Sequence, residues 1–292
     1  MTNENVIAGP VRRPRNLAAE IAGSIHDDKT ASKLGFRGGT VAGSVHMDQF
    51  SPLLIEAFGP QWFETGSLSL YFRNATTDGE PVQAFVERPP AGATGAQVRA
   101  WATTSNDIIV GEGTASVGNP AEPSALRSRD LHPVDPSELR MLSSLKPGDS
   151  LGELTLTASG ERMRASISKG AMTEPLDWYT GASPWGGPVA SPSAIVELLF
   201  GRLLADTKDR MGPHVGLFGA IEIRFHQGPV LLDHTYTVTG EVVALSQTPK
   251  TEVLWFDSRA LDQDGALIAE MRMMSRQMKL SSPLYQDQGA GR

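Results

Sequence analysis

Two histidines, one glutamate and two glycine turns supply the groups in this chain whose types and spacing suit acid–base chemistry. His26 lies in the polar loop Ser24-Ile25-His26-Asp27-Asp28, shortly ahead of the turn Phe36-Arg37-Gly38-Gly39-Thr40-Val41-Ala42-Gly43. An imidazole titrates near neutrality, so His26 can take a proton from water and return it. The residues after the turn read as a helix, and glycines ahead of a helix let a ligand oxygen approach its first N–H groups. Gly38, Gly39 and Thr40 are therefore candidate substrate contacts, with the Gly39 N–H as the donor to a developing oxyanion. Asp28 is a further candidate contact, or a partner for His26. His46 sits inside the helix with Gln49 one turn on, a polar pair facing either the pocket or the core.

The second turn, Trp185-Gly186-Gly187-Pro188-Val189-Ala190-Ser191, follows 148 positions after the first. That offset is close to half the 292-residue chain, so one structural unit is expected twice. Gly187 is a second candidate donor, and Trp185 a candidate lining of a tunnel mouth. The helix that follows carries Glu197, a carboxylate able to orient a base or act as an acid. At this offset His26, His46 and Gln49 correspond to Glu174, Ala194 and Glu197. The halves are unequal, which predicts one working site built from both.

Composition narrows the possibilities. A count of 26 Lys and Arg against 33 Asp and Glu argues against a general nucleic-acid binder. The cluster Arg12, Arg13 and Arg15 is too short to reverse that and reads as a solvated entry segment. Cysteine is absent, which excludes disulfides, thiolate metal sites and cysteine nucleophiles. No apolar run approaches the ~20 residues of a membrane span. The opening residues lack the basic-then-apolar pattern of a secretory signal, so a cytoplasmic protein is expected. His132, His214, His226 and His234 show no metal-ligand spacing. No Walker loop or Gly-x-Ser-x-Gly elbow is present. Neither a metal nor a cofactor is expected.

The elements that must position these groups follow from periodicity. A helix is expected over 40–58, disturbed at Pro52, with a shorter helical stretch at 16–22. Strands are expected at 67–73, 81–87, 97–103 and 108–117. In the second half they fall at 151–158, 163–168, 217–225, 236–245, 252–260 and 266–278. Ser191 as N-cap and Pro192 at the first helical position start a second helix reaching about residue 205. A long helix against a twisted antiparallel sheet, present twice, makes an α+β double hotdog. Residues 1–118 form the N-terminal hotdog, 119–149 a proline-rich linker, and 150–292 the C-terminal hotdog.

The block Ile25-His26-Asp27-Asp28, Ala31-Ser32, Gly35-Phe36 and Gly38-Gly39-x-Val41-x-Gly43 resembles the hydratase motif of MaoC-like enoyl-CoA hydratases. Ile223-Arg224-Phe225, Pro229-Val230, Asp233 and Thr237-Val238-x-Gly240-Glu241-Val242 are similar to a strand pattern of that family. The resemblance implies a double hotdog that adds water to, or removes it from, an enoyl or 3-hydroxyacyl thioester. The family motif has an aspartate five residues before the histidine and an asparagine three before it; here Ile21 and Gly23 stand there. The run Gly186-Gly187-Pro188-Val189-Ala190-Ser191-Pro192 to Glu197 is similar to the central-helix motif of hydroxyacyl-ACP dehydratases, with Ser183 in place of their histidine.

The resulting expectation is a hydro-lyase with His26 as base, Glu197 or His46 as its partner, and a small-molecule substrate such as an acyl-CoA. Analogy adds a homodimer. Two other readings stand beside it: a hotdog thioesterase in which Glu197 activates water, and a non-catalytic hotdog that binds a hydrophobic ligand.

Overall fold

The computed structural model describes residues 5–93 and 95–288. In chain order its strands are β1 (Val6–Ala8), β2 (Ser67–Phe72), β3 (Val82–Glu87), β4 (Ala96–Thr104), β5 (Ile109–Val117), β6 (Ser150–Thr157), β7 (Gly216–Phe225), β8 (Thr235–Gln247), β9 (Thr251–Leu261) and β10 (Leu267–Met278). The helices are α1 (Asp28–Lys33), α2 (Gly43–Met47), α3 (Ser51–Phe58), α4 (Trp62–Thr65), α5 (Gly160–Ser168), α6 (Pro192–Phe200) and α7 (Ala205–Met211). β3 alternates buried and half-buried residues along its length, the period of two that covers one face of a sheet.

All ten strands form one sheet in the order β1-β3-β4-β5-β2-β7-β10-β9-β8-β6. The order is palindromic under the repeat: β2 matches β7, β5 matches β10, and so on to β1 and β6 at the edges. The halves join where β2 pairs antiparallel with β7, from Ser67 opposite Arg224 to Tyr71 opposite Ala220. The central helices of both halves lie on the same side. Phe50, Leu53 and Leu54 from one and Ile195, Val196 and Leu199 from the other belong to a single buried core. This is the double hotdog architecture read from the sequence.

The first central helix is not continuous. α2 and α3 are separated by a 3-10 turn, Asp48–Phe50, directly ahead of Pro52. Proline has no N–H to give and its ring crowds the preceding turn, so the helix tightens there. Within that turn Asp48 is buried, and its carboxylate accepts the Ser193 N–H at 2.8 Å and the Ser193 hydroxyl at 2.6 Å. A side chain of the first half thus supplies a partner to an otherwise orphaned N–H at the start of α6.

Several local expectations are corrected. Residues 16–22 form turns rather than a helix. Residues 163–168 are the end of helix α5, not a strand. Met163 and Ile167 are four apart, which suits a helix face as well as strand alternation, and Ser159 settles the matter by capping the Arg162 N–H. The segment 119–149 is not a loose connection. Leu126 is buried with Tyr71, Ala220, Trp255 and Met274 on the sheet face away from the helices. Next to it, Arg127 reaches Glu222, Asp257 and Glu270 at 3.1–3.2 Å.

Candidate active site

The histidine loop and the first glycine turn are built against each other. The Thr40 N–H donates to the Ile25 carbonyl at 2.9 Å, and the Asn16 side-chain amide donates to the His26 carbonyl at 2.8 Å. A Cβ on Gly39 would lie 2.2 Å from the His26 carbonyl oxygen, so only glycine allows this approach. The Gly39 N–H is already taken, donating to Asp28 Oδ1 at 2.7 Å. This corrects the expectation that Gly39 is an oxyanion donor. Gly38, Gly39 and Asp28 latch the loop; none of them lines either of the two cavities that meet at His26.

That latch fixes the His26 ring. Nδ1 donates to the Thr40 carbonyl oxygen at 2.7 Å. A carbonyl can only accept, so the neutral ring carries its proton on Nδ1 and leaves Nε2 with a free lone pair. No protein group occupies Nε2 among the described residues. His26 is half-buried at the junction of two cavities, of 630 Å³ and 1180 Å³, which share His26, Ala42 and Phe218 as walls. The smaller also has Thr40, Gly43, His46 and Thr76 in its lining; the larger is walled by Val45, Met163, Ala194, Leu198 and Phe200.

The open helix start is at Gly43 rather than Gly39. Ala42 is the N-cap of α2 and supplies no side-chain cap. The N–H groups of Gly43 and Ser44 have no acceptor among the described residues. A Cβ on Gly43 would come within 2.7 Å of the Phe72 ring, so glycine is needed here as well. Sequence reasoning included Gly43 in the motif but took the Gly39 N–H to be the open one. The signal that separates them is Asp28, eleven residues before Gly39, placed to consume its N–H.

His46 is buried at the floor of the smaller cavity, with Nε2 2.8 Å from Thr76 Oγ1 and Nδ1 3.2 Å from the Gln49 amide nitrogen. Gln49 donates to Nδ1, so Nε2 carries the proton and donates to Thr76. Burial pulls the His46 pKa down to about 4, against a weak opposing pull from Glu80, and the ring is neutral near pH 7. Gln49 itself does not line the cavity; it orients His46, and its Oε1 has no partner among the described residues. Burial pushes Asp48 in the opposite direction, up to about 7, against the hydrogen bonds from Ser193 and Ser191.

The second half contributes less than its motif implied. Glu197 lines the larger cavity but is half exposed and ion-paired with Arg162. Among the described residues it makes no hydrogen bond or ion pair with His26. The second glycine turn lies apart from both cavities. Trp185 donates to Glu64 Oε1 at 2.8 Å and packs against Phe63 and Trp178, which makes it a packing residue rather than a tunnel wall. The Gly187 carbonyl accepts the Ser183 hydroxyl, another contact internal to the turn. Glu174, the counterpart of His26, is buried and holds Arg12 through both carboxylate oxygens. Arg12 is therefore no solvated entry residue but ties the N-terminal arm to the second half. Among the described residues no group of histidines and carboxylates is arranged to hold a metal.

No family model matches this chain, and no curated protein matches it. Solved structures do. A protein described as a MaoC domain dehydratase from Chloroflexus aurantiacus J-10-fl shares 12% identity at a TM-score of 0.60, with 94% of each chain covered. A conserved hypothetical protein from Mycobacterium tuberculosis, described as having a double hotdog fold, shares 14% identity at 0.59, over 94% of this chain and 96% of that one. The dehydratase domain of PpsC from Mycobacterium tuberculosis, solved in complex with C12:1-CoA, shares 10% at 0.50, over 95% and 96%. These likenesses define the class: the chain is a double hotdog protein over nearly its whole length.

Proposed function

We propose that this double hotdog is a hydro-lyase acting on an enoyl or 3-hydroxyacyl thioester, with His26 as its one acid–base group. The observation that carries the reading is the pinned ring of His26, its Nε2 open at the junction of two cavities and beside an uncapped helix start. In the hydration direction Nε2 takes a proton from water, the water oxygen bonds to the β-carbon, and the double-bond electrons shift toward the thioester carbonyl. The Gly43 N–H and the positive end of α2 hold the oxygen that gains charge. The imidazolium then returns its proton to the α-carbon, so one base serves both steps. The likeness to the dehydratases above and the motif around His26 support the same class.

The discriminating assay follows enoyl absorbance and free thiol together, over a panel of acyl-CoA thioesters. Loss of absorbance with the thioester intact is expected, and His26→Gln should lower turnover by a factor of about 10²–10⁴. Unchanged turnover in His26→Gln would remove His26 from the mechanism. Release of free CoA would instead indicate hydrolysis, the chemistry for which Glu197, tied to Arg162, is poorly placed. One observation favours a second reading, a ligand-binding hotdog without turnover: no carboxylate hydrogen-bonds to His26 among the described residues. Tight binding of a panel member with no change in it would establish that role.

A further inference from the structure

The two cavities that meet at His26 stay separate, and one aromatic ring stands at their boundary. His26, Ala42 and Phe218 line both. Ala42 offers a single methyl group, and the His26 ring is held by the Thr40 carbonyl. Phe218 is the large apolar side chain of the three. Its ring meets that of Phe200, on α6, edge-on with centroids 5.1 Å apart. Phe200 in turn stacks on the buried Phe256 at 6.4 Å. Rings in series thus tie Phe218 to the core, a contact that sets orientation as well as burying area.

Strand alternation alone would point Phe218 the other way. Along β7, Ile221, Ile223 and Phe225 belong to the helix-side core. Ala220 packs with Tyr71 and Trp255 on the opposite face, where Glu222 meets Arg127. With a period of two, Phe218 would follow Ala220 and Glu222. It does not, because β7 carries one extra residue. Ala220 pairs with Met274, and Phe218 with Ser275, the next residue of β10, so Gly219 has no residue opposite it on that strand. A bulge of this kind sets two residues against one and reverses the facing of those beyond it. Phe218 therefore packs against the helix-side core and reaches both cavities. The bulge closes tightly around its glycine: a Cβ at Gly219 would lie 2.7 Å from Arg276 Nε and 2.8 Å from Met274 Sδ.

We propose that Phe218 is a specificity-determining residue that selects thioesters whose reacting carbons carry no extra substituent. The inference rests on the reaction proposed above, which puts those carbons beside His26. A ligand extending into both cavities passes His26 and Phe218 together, so the carbons that react are also the carbons the ring confines. An unbranched chain passes. A methyl group on the α-carbon meets a ring that Phe200 and Phe256 hold in place, and crowding of that kind in a packed wall is costly.

The test compares 2-decenoyl-CoA with and without a 2-methyl group on the wild type, Phe218→Ala and Phe218→Leu. Each enzyme is read by its own ratio of kcat/KM, branched over straight, which cancels any difference in the fraction folded. Comparing the ratios cancels the intrinsic reactivity of the two substrates. Phe218→Ala should raise the ratio about tenfold or more over wild type, the range one methyl group commands in a tight site, and Phe218→Leu should raise it less. Equal ratios in all three overturn the proposal and leave the reaction standing. If no thioester is turned over, the reaction falls and the inference is decided by binding. Decanoyl-CoA and 2-methyldecanoyl-CoA are then compared through the thermal midpoint of the full chain. A straight probe that stabilises wild type more than the branched one, with that preference lost in Phe218→Ala, upholds the role of the ring. Equal shifts from both probes in wild type, no shift from either, or a preference that survives in Phe218→Ala overturns it.

Discussion

The His26 loop and the first glycine turn stand close together in the sequence, and Asp28 joins them in the fold. Only the presence of Asp28, eleven residues earlier, marks in the sequence that the Gly39 N–H is already taken. Asp28 Oδ1 on the Gly39 N–H converts the glycine turn from a ligand cradle into a latch for the His26 loop. Gly39→Ala tests that conversion. Its Cβ would meet the His26 carbonyl oxygen at 2.2 Å, so the loop must shift, at a cost of about 1–3 kcal/mol. Turnover should fall toward that of His26→Gln while the unfolding transition stays cooperative. A variant with full activity would show that the latch does not position the ring.

At the scale of elements, the sequence supplied the two central helices but not how they meet. Asp48 lay unremarked between His46 and Gln49, because a carboxylate in a helix usually faces solvent; here it is buried against the N-terminus of α6. Residues 163–168 misled for a related reason, since apolar residues four apart satisfy both a helix and a strand. The helix junction has a pH signature with two opposing parts. Asp48, raised from its ordinary 3.8 to about 7, binds its proton more tightly in the folded state, so stability falls as pH rises between these values. His46, lowered from 6.5 to about 4, binds its proton less tightly when folded, so stability rises with pH between those. The two offset each other from about pH 4 to 6.5. His46→Gln should unmask a decline from about pH 4 to 7, and Asp48→Asn a rise from about pH 4 to 6.5. Each slope reaches up to about 1.4 kcal/mol per pH unit, measurable from urea midpoints. Flat profiles in both variants would show that neither group titrates across the junction.

For the molecule as a whole, the repeat was legible and the seam was not. Internal similarity revealed two like units, but nothing in the periodicity of either strand marks β2 and β7 as the edges that pair across the halves. The proline-rich stretch between the halves also concealed its role. Prolines and scattered charges suggested a solvated linker, yet Leu126 and Arg127 close the sheet face opposite the helices. Arg127 draws together Glu222 and Glu270, from two strands of the second half, and Asp257 from a third. Asp257 keeps Arg272 as a second partner, whereas Glu222 retains only the Ser124 hydroxyl. Arg127→Met would therefore leave the buried Glu222 without a counter-charge, at a cost of about 3–5 kcal/mol. Because the sheet and the helix-side core run through both halves, that loss should not free one half from the other. The urea midpoint is expected to fall while the transition remains single, with tryptophan fluorescence and far-UV circular dichroism coinciding. Two separated transitions would show instead that the hotdogs are independent units and that the seam between β2 and β7 contributes little to cooperativity.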